Sequence, residues 1–92
     1  MDIPPPPKVY DHPYAGRLEL RRGTLSEVEY VCHTMEGLVS AYNALGCAKK
    51  FPRSCFIMIP RVAGTVTARM QSQIRRHEIA HCNGWGATHP PD

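Results

Sequence analysis

The chain has no apolar run of membrane-spanning length. Its most hydrophobic stretch, Cys55-Phe56-Ile57-Met58-Ile59, is closed off by Pro52 and Pro60, whereas a transmembrane helix needs about 20 apolar residues. A membrane-spanning helix is excluded, and no membrane partner is expected. The N-terminus also lacks the apolar core of a signal peptide, so a cytoplasmic protein is the default expectation. Aromatic residues are scarce at 8%, and the basic residues come as scattered pairs, Arg21-Arg22, Lys49-Lys50 and Arg75-Arg76, with no aromatics between them. With 11 Lys and Arg against 8 Asp and Glu, the balance signals nucleic acid only weakly, and a solvated face is the expectation. No two cysteines form a C-x-x-C pair, which argues against a zinc ribbon or a thioredoxin-like site. No segment repeats.

What is present fits one small folded domain. Ninety-two residues, 42% hydrophobic and 21% charged, lie near the low end for an independent core. Residues 1–16 read as a proline-rich N-terminal arm, with Pro4-Pro5-Pro6-Pro7 favouring an extended polyproline II segment; residues 17–92 read as a single domain. Cys32, Cys47, Cys55 and Cys82 are even in number. In an oxidising compartment they make two bridges, with three connectivities open; in a reducing cytosol they are four small buried hydrophobes. An exported or periplasmic protein follows if they are bridged.

The pattern along the domain predicts an α+β chain: an N-terminal helix, a short antiparallel or mixed sheet, and a C-terminal helix. Residues 17–21 alternate polar and apolar as a half-buried strand, with Gly23 as its break. Thr24 and Glu27 make a capping-box pair, and Leu25, Val28, Cys32 and Met35 give the period of a helix's buried face. That helix ends near Gly37, and residues 38–45 continue as a second helical segment. Residues 46–51 form a short strand and residues 52–54 a turn. Residues 55–59 form a buried or edge strand.

From Thr65 to Arg76 the chain is free of Gly and Pro and rich in helix formers, and Gly84 supplies a stop behind Asn83. Met70, Ile74, His77 and His81 follow the i, i+4, i+7, i+11 stripe of an inward face. His77-Glu78-Ile79-Ala80-His81 reads H-E-x-x-H. Two histidines four apart on a helix lie one above the other, with roughly 6 Å between Cβ atoms. That spacing lets two imidazole nitrogens converge on one zinc ion at about 2.0–2.1 Å. Glu78, turned about 100° from that row, is placed to take the proton of a water held by the metal. The same five residues also occur on helices whose histidines are merely solvated, and a chain with five histidines raises that chance.

The order helix, strand, strand, metal helix, together with His77, Glu78 and His81, resembles the core of the zincin superfamily of zinc metallopeptidases. The block His-Glu-Ile-Ala-His-Cys-Asn-Gly-Trp is also similar to small zincin-like proteins carried by bacterial plasmids and phages. The resemblance implies a Zn2+ cofactor, a peptide or protein substrate, and peptide-bond hydrolysis with Glu78 as general base. It also implies a strand beside the site that binds the substrate's extended backbone, here residues 55–59.

The family pattern is incomplete. The metzincin form H-E-x-x-H-x-x-G-x-x-H matches at Gly84 but meets Ala87 where its third histidine stands, and no methionine follows Met70. The gluzincin form needs a later glutamate, yet Glu78 is the last one. A catalytic zinc takes three protein ligands. By reach, His89 ranks first, through a turn at Gly84, an anchor at Trp85 and a second Gly86; Asp92, His12 and His33 follow. Tyr10, Tyr14, Tyr42 and His33 are candidate electrophiles by residue type. Two further functions compete with hydrolysis: a non-catalytic, metal-stabilised binding module, and a basic accessory protein of a mobile element with accidental histidines.

Overall fold

The computed structural model describes residues 3–35 and 45–90. After a short 3-10 turn at Lys8–Tyr10 the elements run β1 (Arg17–Gly23), α1 (Leu25–Thr34), β2 (Cys47–Lys50), β3 (Ser54–Pro60) and α2 (Ala68–Cys82). They form a small α+β fold with a three-stranded mixed sheet in the order β1-β3-β2. β1 runs parallel to β3, from Arg17 opposite Ser54 to Gly23 opposite Pro60. β2 runs antiparallel to it, from Cys47 opposite Met58 to Lys50 opposite Cys55.

Successive strand residues point to opposite faces, and β3 uses both. Cys55, Ile57 and Ile59 pack with Ile74, Ile79 and Cys82 of α2. Met58, with Phe56 at its margin, packs with Val28 and Cys32 of α1 and with Cys47. The two helices therefore cover opposite faces of the sheet, and the three layers explain why β3 is apolar without alternation.

Local chemistry sets the ends of α1. The Thr24 N–H donates to Glu27 Oε1 at 2.9 Å while the Glu27 N–H donates to Thr24 Oγ1 at 3.1 Å, the capping box read from the sequence. β1 ends at Gly23, a buried glycine where a Cβ would lie 2.7 Å from Met58 Cε. Other expectations are corrected. Leu25 is exposed, and the buried face of α1 is made by Val28 and Cys32 with Val31 beside them. And β3 is central, so both of its edges are already paired and residues 55–59 cannot accept a substrate strand; the outer strands are β1 and β2. The first helix stops at Thr34, with Met35 as its extended C-cap, short of the expected end near Gly37; of the expected second segment over residues 38–45, residues 38–44 lie outside the described residues and Leu45 is a bend.

The cysteines are all bridged. Cys32 with Cys47 ties α1 to β2, and Cys55 with Cys82 ties β3 to the last residue of α2. Each face of the sheet thus holds one disulfide within its apolar cluster. Bonds of this kind persist in oxidising compartments, so the cytoplasmic default gives way. Among the described residues no helix is long and apolar enough to cross a membrane.

The N-terminal arm lies on α2. Asp11 pairs with Arg76 through both carboxylate oxygens. Asn83 Nδ2 donates to the carbonyls of Tyr10 and His12 at 2.9 and 2.6 Å. Ile3 and Tyr14 pack against the α2-side cluster.

The Cys55–Cys82 bridge closes a sequence separation of 27 residues. Replacing both cysteines by alanine is expected to cost about 3 kcal/mol of unfolding free energy, read as a lowered urea midpoint against the oxidised wild type.

Candidate metal centre

Two caps set the helix that carries the motif. Thr67 Oγ1 accepts from the Met70 N–H at 3.1 Å, so α2 starts at Ala68, with Thr65 and Val66 left in the preceding turn. At the other end the Gly84 N–H donates to the His81 carbonyl at 3.1 Å and the Trp85 N–H to the Ala80 carbonyl at 3.0 Å. With Gly84 at φ 108° this is a Schellman ending, a left-handed residue that glycine adopts without penalty. The expected stripe lies inward: Ile74, His77 and His81 are buried and Met70 is half-buried.

The Schellman turn sends the chain back along the helix and returns His89 to the two motif histidines. His77 Nε2 lies 3.1 Å from His89 Nε2 and 3.2 Å from His81 Nε2. One ligand atom from each of the three falls within 4.8 Å of the others. Nitrogens bound at about 2.0–2.1 Å around a tetrahedral ion sit about 3.3 Å apart. His89 itself adopts φ 54°, the left-handed region, which histidine enters more readily than most residues. Trp85 is buried beneath the three rings. It stacks on His81 with centroids 5.0 Å apart and planes 14° from parallel, and meets His77 and His89 edge-on. Its indole N–H donates to the Pro90 carbonyl at 2.9 Å, which fixes the returning segment.

The protonation of two rings follows from their partners. A carbonyl oxygen can only accept. His77 Nδ1, 3.1 Å from the Pro4 carbonyl, must carry its hydrogen there. His81 Nδ1, 2.7 Å from the Trp85 carbonyl, must do the same. In the neutral rings each Nε2 is then a bare lone pair, and the 3.2 Å contact between them is not a hydrogen bond. Burial holds all three histidines below the usual imidazole range, His81 at about 4, so they are neutral at pH 7. Three neutral imidazoles converging on one point, two with their far nitrogens anchored on carbonyls, are a donor set that can bind a metal ion.

Glu78 is 2% exposed, and among the described residues its Oε1 has no hydrogen-bond partner. Burial pushes its carboxyl well above the ordinary glutamate value; a divalent cation nearby acts in the opposite sense. Ile3, Pro4, Leu45, Ile74, His77 and Glu78 enclose a cavity of about 10 Å³, on the scale of a single water. Gly46, just before β2, packs closely against two of these side chains, Ile74 and Glu78. A Cβ there would lie 2.8 Å from Ile74 Cγ2, 3.0 Å from Glu78 Oε2 and 3.2 Å from the Met58 carbonyl.

Of the residues read from the sequence, the fold gathers His77, His81 and His89 and sets Glu78 beside His77. His33 is exposed on α1, across the sheet from α2, and is neither ligand nor electrophile. His12 is exposed on the arm, its Nδ1 bonded to the Pro13 carbonyl. Tyr10 faces the Gly84 turn, and Tyr14 packs with the cluster that holds Ile79. Tyr42 and Asp92 lie outside the described residues. Three contributors went unread: the Pro4 carbonyl, the Trp85 carbonyl and Gly46. The Gly84-Trp85 pair carried a signal for the second, since an apolar residue follows the glycine in this helix ending. No local pattern marks the other two. No protein-family model, curated protein or solved structure matches the chain.

Two outcomes follow from burial. Gly46→Ala is expected to lower stability by about 1–3 kcal/mol through overpacking, seen in urea unfolding. For pH, a histidine whose folded pKa is depressed takes up its proton more readily when unfolded, so it removes stability as pH falls from 6.5 towards about 4. Glu78 does the reverse, because its raised folded pKa makes the native state the better proton acceptor above 4.5. Taking the metal-free protein from pH 7 to pH 5 should therefore lower the melting temperature more in Glu78→Gln than in the wild type.

Proposed function

We propose that this chain is a minimal zincin-like metallopeptidase that hydrolyses peptide bonds with zinc held by His77, His81 and His89 and with Glu78 as general base. The observation that carries the reading is the convergence of three Nε2 atoms, that of His77 lying 3.2 Å from that of His81 and 3.1 Å from that of His89, with those of His77 and His81 held as bare lone pairs. Three nitrogen ligands are the number at which zinc keeps a position open for solvent or substrate. Zinc bound there supplies a water with a pKa near 7 and a Lewis acid for the peptide carbonyl.

Glu78 then has a defined task. It takes the proton of the attacking water and passes it to the amine that leaves when the C–N bond breaks. A carboxyl held up by burial lies closer to neutrality than an exposed one, which suits it to both halves of that transfer. Against Glu78 lies Gly46, which leads into β2, an outer strand of the sheet. An extended peptide laid along β2 would bring its backbone past Gly46 to the carboxyl, by the strand addition that family resemblance implies. The two bridges support an exported or periplasmic location for this activity.

One observation favours a second reading. Glu78 is almost inaccessible and the space beside it is of single-water size, which also suits a metal-stabilised binding module with no hydrolysis. The two part at Glu78→Gln. In the hydrolase this variant keeps one zinc per chain and its fold, and loses activity on an unfolded protein substrate by about 10²–10⁴-fold. Equal activity in Glu78→Gln would remove the assigned base, and a zinc-loaded wild type with no activity would leave the binding module. His89→Ala is expected to lose the stoichiometric zinc in either case.

A further inference from the structure

The nitrogen that orients His77 is satisfied from the opposite end of the chain. Its partner is the carbonyl of Pro4, 73 residues away in sequence, whereas His81 is held by the carbonyl only four residues on, within the Schellman turn. Residues 3–7 thus form a strap that reaches the centre from outside the domain core. Pro6 is buried in it, and Ile3 and Pro4 wall the cavity that Glu78 faces. Farther along the arm, the double contact of Asp11 with Arg76 and the two bonds from Asn83 pin the segment to α2.

We propose that this strap is a working part of the metal centre, the Pro4 carbonyl acting as the positioning group that keeps His77 in the tautomer presenting Nε2 to the ion. The proposal rests on the metal-binding part of the reading above and not on hydrolysis. Its composition suits the task. Four consecutive prolines have fixed φ and no N–H groups, so the strap gives up little entropy on docking. The proline run brings no donors that would need partners and cannot pair as a further strand on a sheet edge. What it offers is carbonyl acceptors, and one of them faces His77. Without it, His77 Nδ1 would meet solvent and the ring would be free to move its proton to Nε2, the tautomer that predominates in solvated histidine and that leaves no lone pair on the nitrogen facing His81 and His89. Partners of this kind are typically worth about 10–100-fold in metal affinity.

The test compares the full chain with a chain lacking residues 1–7, reading the histidine tautomers of the metal-free protein by long-range ¹H–¹⁵N NMR and zinc affinity by competition with a chelator. The full chain should show His77 and His81 both protonated at Nδ1. The shortened chain should keep His81 so, as an internal control on the fold, while His77 moves towards the Nε2–H form and zinc binds about 10–100-fold more weakly. A His77 signal unchanged by the deletion, with zinc affinity within about twofold, overturns the proposal, as does a full chain whose His77 is already Nε2-protonated. If the shortened chain does not fold, the full-length Pro4→Gly/Pro5→Gly variant loosens the strap without removing its carbonyl, and a loss in the same direction is required. A full chain that binds no zinc overturns the metal reading itself, while the tautomer measurement still decides the strap contact.

Discussion

Two imidazole nitrogens that both lack a proton repel one another, and in water each would turn to find a donor. His77 and His81 cannot, because their far nitrogens are held by carbonyls that only accept. This constraint organises the centre more than the helical spacing does. Spacing of four brings two rings to one face; it does not say which nitrogen each presents. That choice is made by the main chain at Pro4 and Trp85, neither of which has a side chain that could ligate anything. Both lone pairs are then directed at the space that His89 also faces.

Holding that arrangement asks for a rigid frame from a chain of only 92 residues. The frame is β3, covered on both faces, with one disulfide in each layer. The Cys55–Cys82 bridge matters most to the site, since Cys82 is the last residue of α2 and follows His81 directly. It anchors the end of the helix to the central strand at the point where the Schellman turn begins. The turn in turn sets the Trp85 carbonyl against His81, and the indole beneath the rings. Core, covalent bridge and ligand orientation therefore form one mechanical sequence.

How much of this could be read from the sequence depends on how local the signal is. The caps at Thr24 and Gly84, the motif helix and the return of His89 were legible because each is decided by residues a few positions apart. Strand order was not. Residues 55–59 carry the same apolar pattern whether the strand is central or at an edge, and only the pairing with β1 and β2 shows that its edges are occupied. The cysteine pairing was illegible for the same reason, since spacing leaves three connectivities open. Least legible was the arm. A proline run reads as an extended arm, and nothing in it announces a bond to a histidine 73 residues later.

Glu78 is where stability and chemistry pull apart. Taking a carboxyl out of water without a partner costs several kcal/mol or forces it to keep its proton, and here Oε1 has no partner among the described residues. A site whose only purpose was to staple the fold with metal would gain by placing an apolar residue there. The neighbouring position Ile79 shows that α2 accepts one on a buried face. Gly46 makes the same point from the opposite side, because a bare backbone next to the carboxyl leaves room for its oxygens and gives up the side chain that would have packed there. An acid retained at that cost, between His77 and the start of an outer strand, supports the proposed role of Glu78 in proton exchange, while its near-complete burial is what the metal-stabilised binding module shares with it.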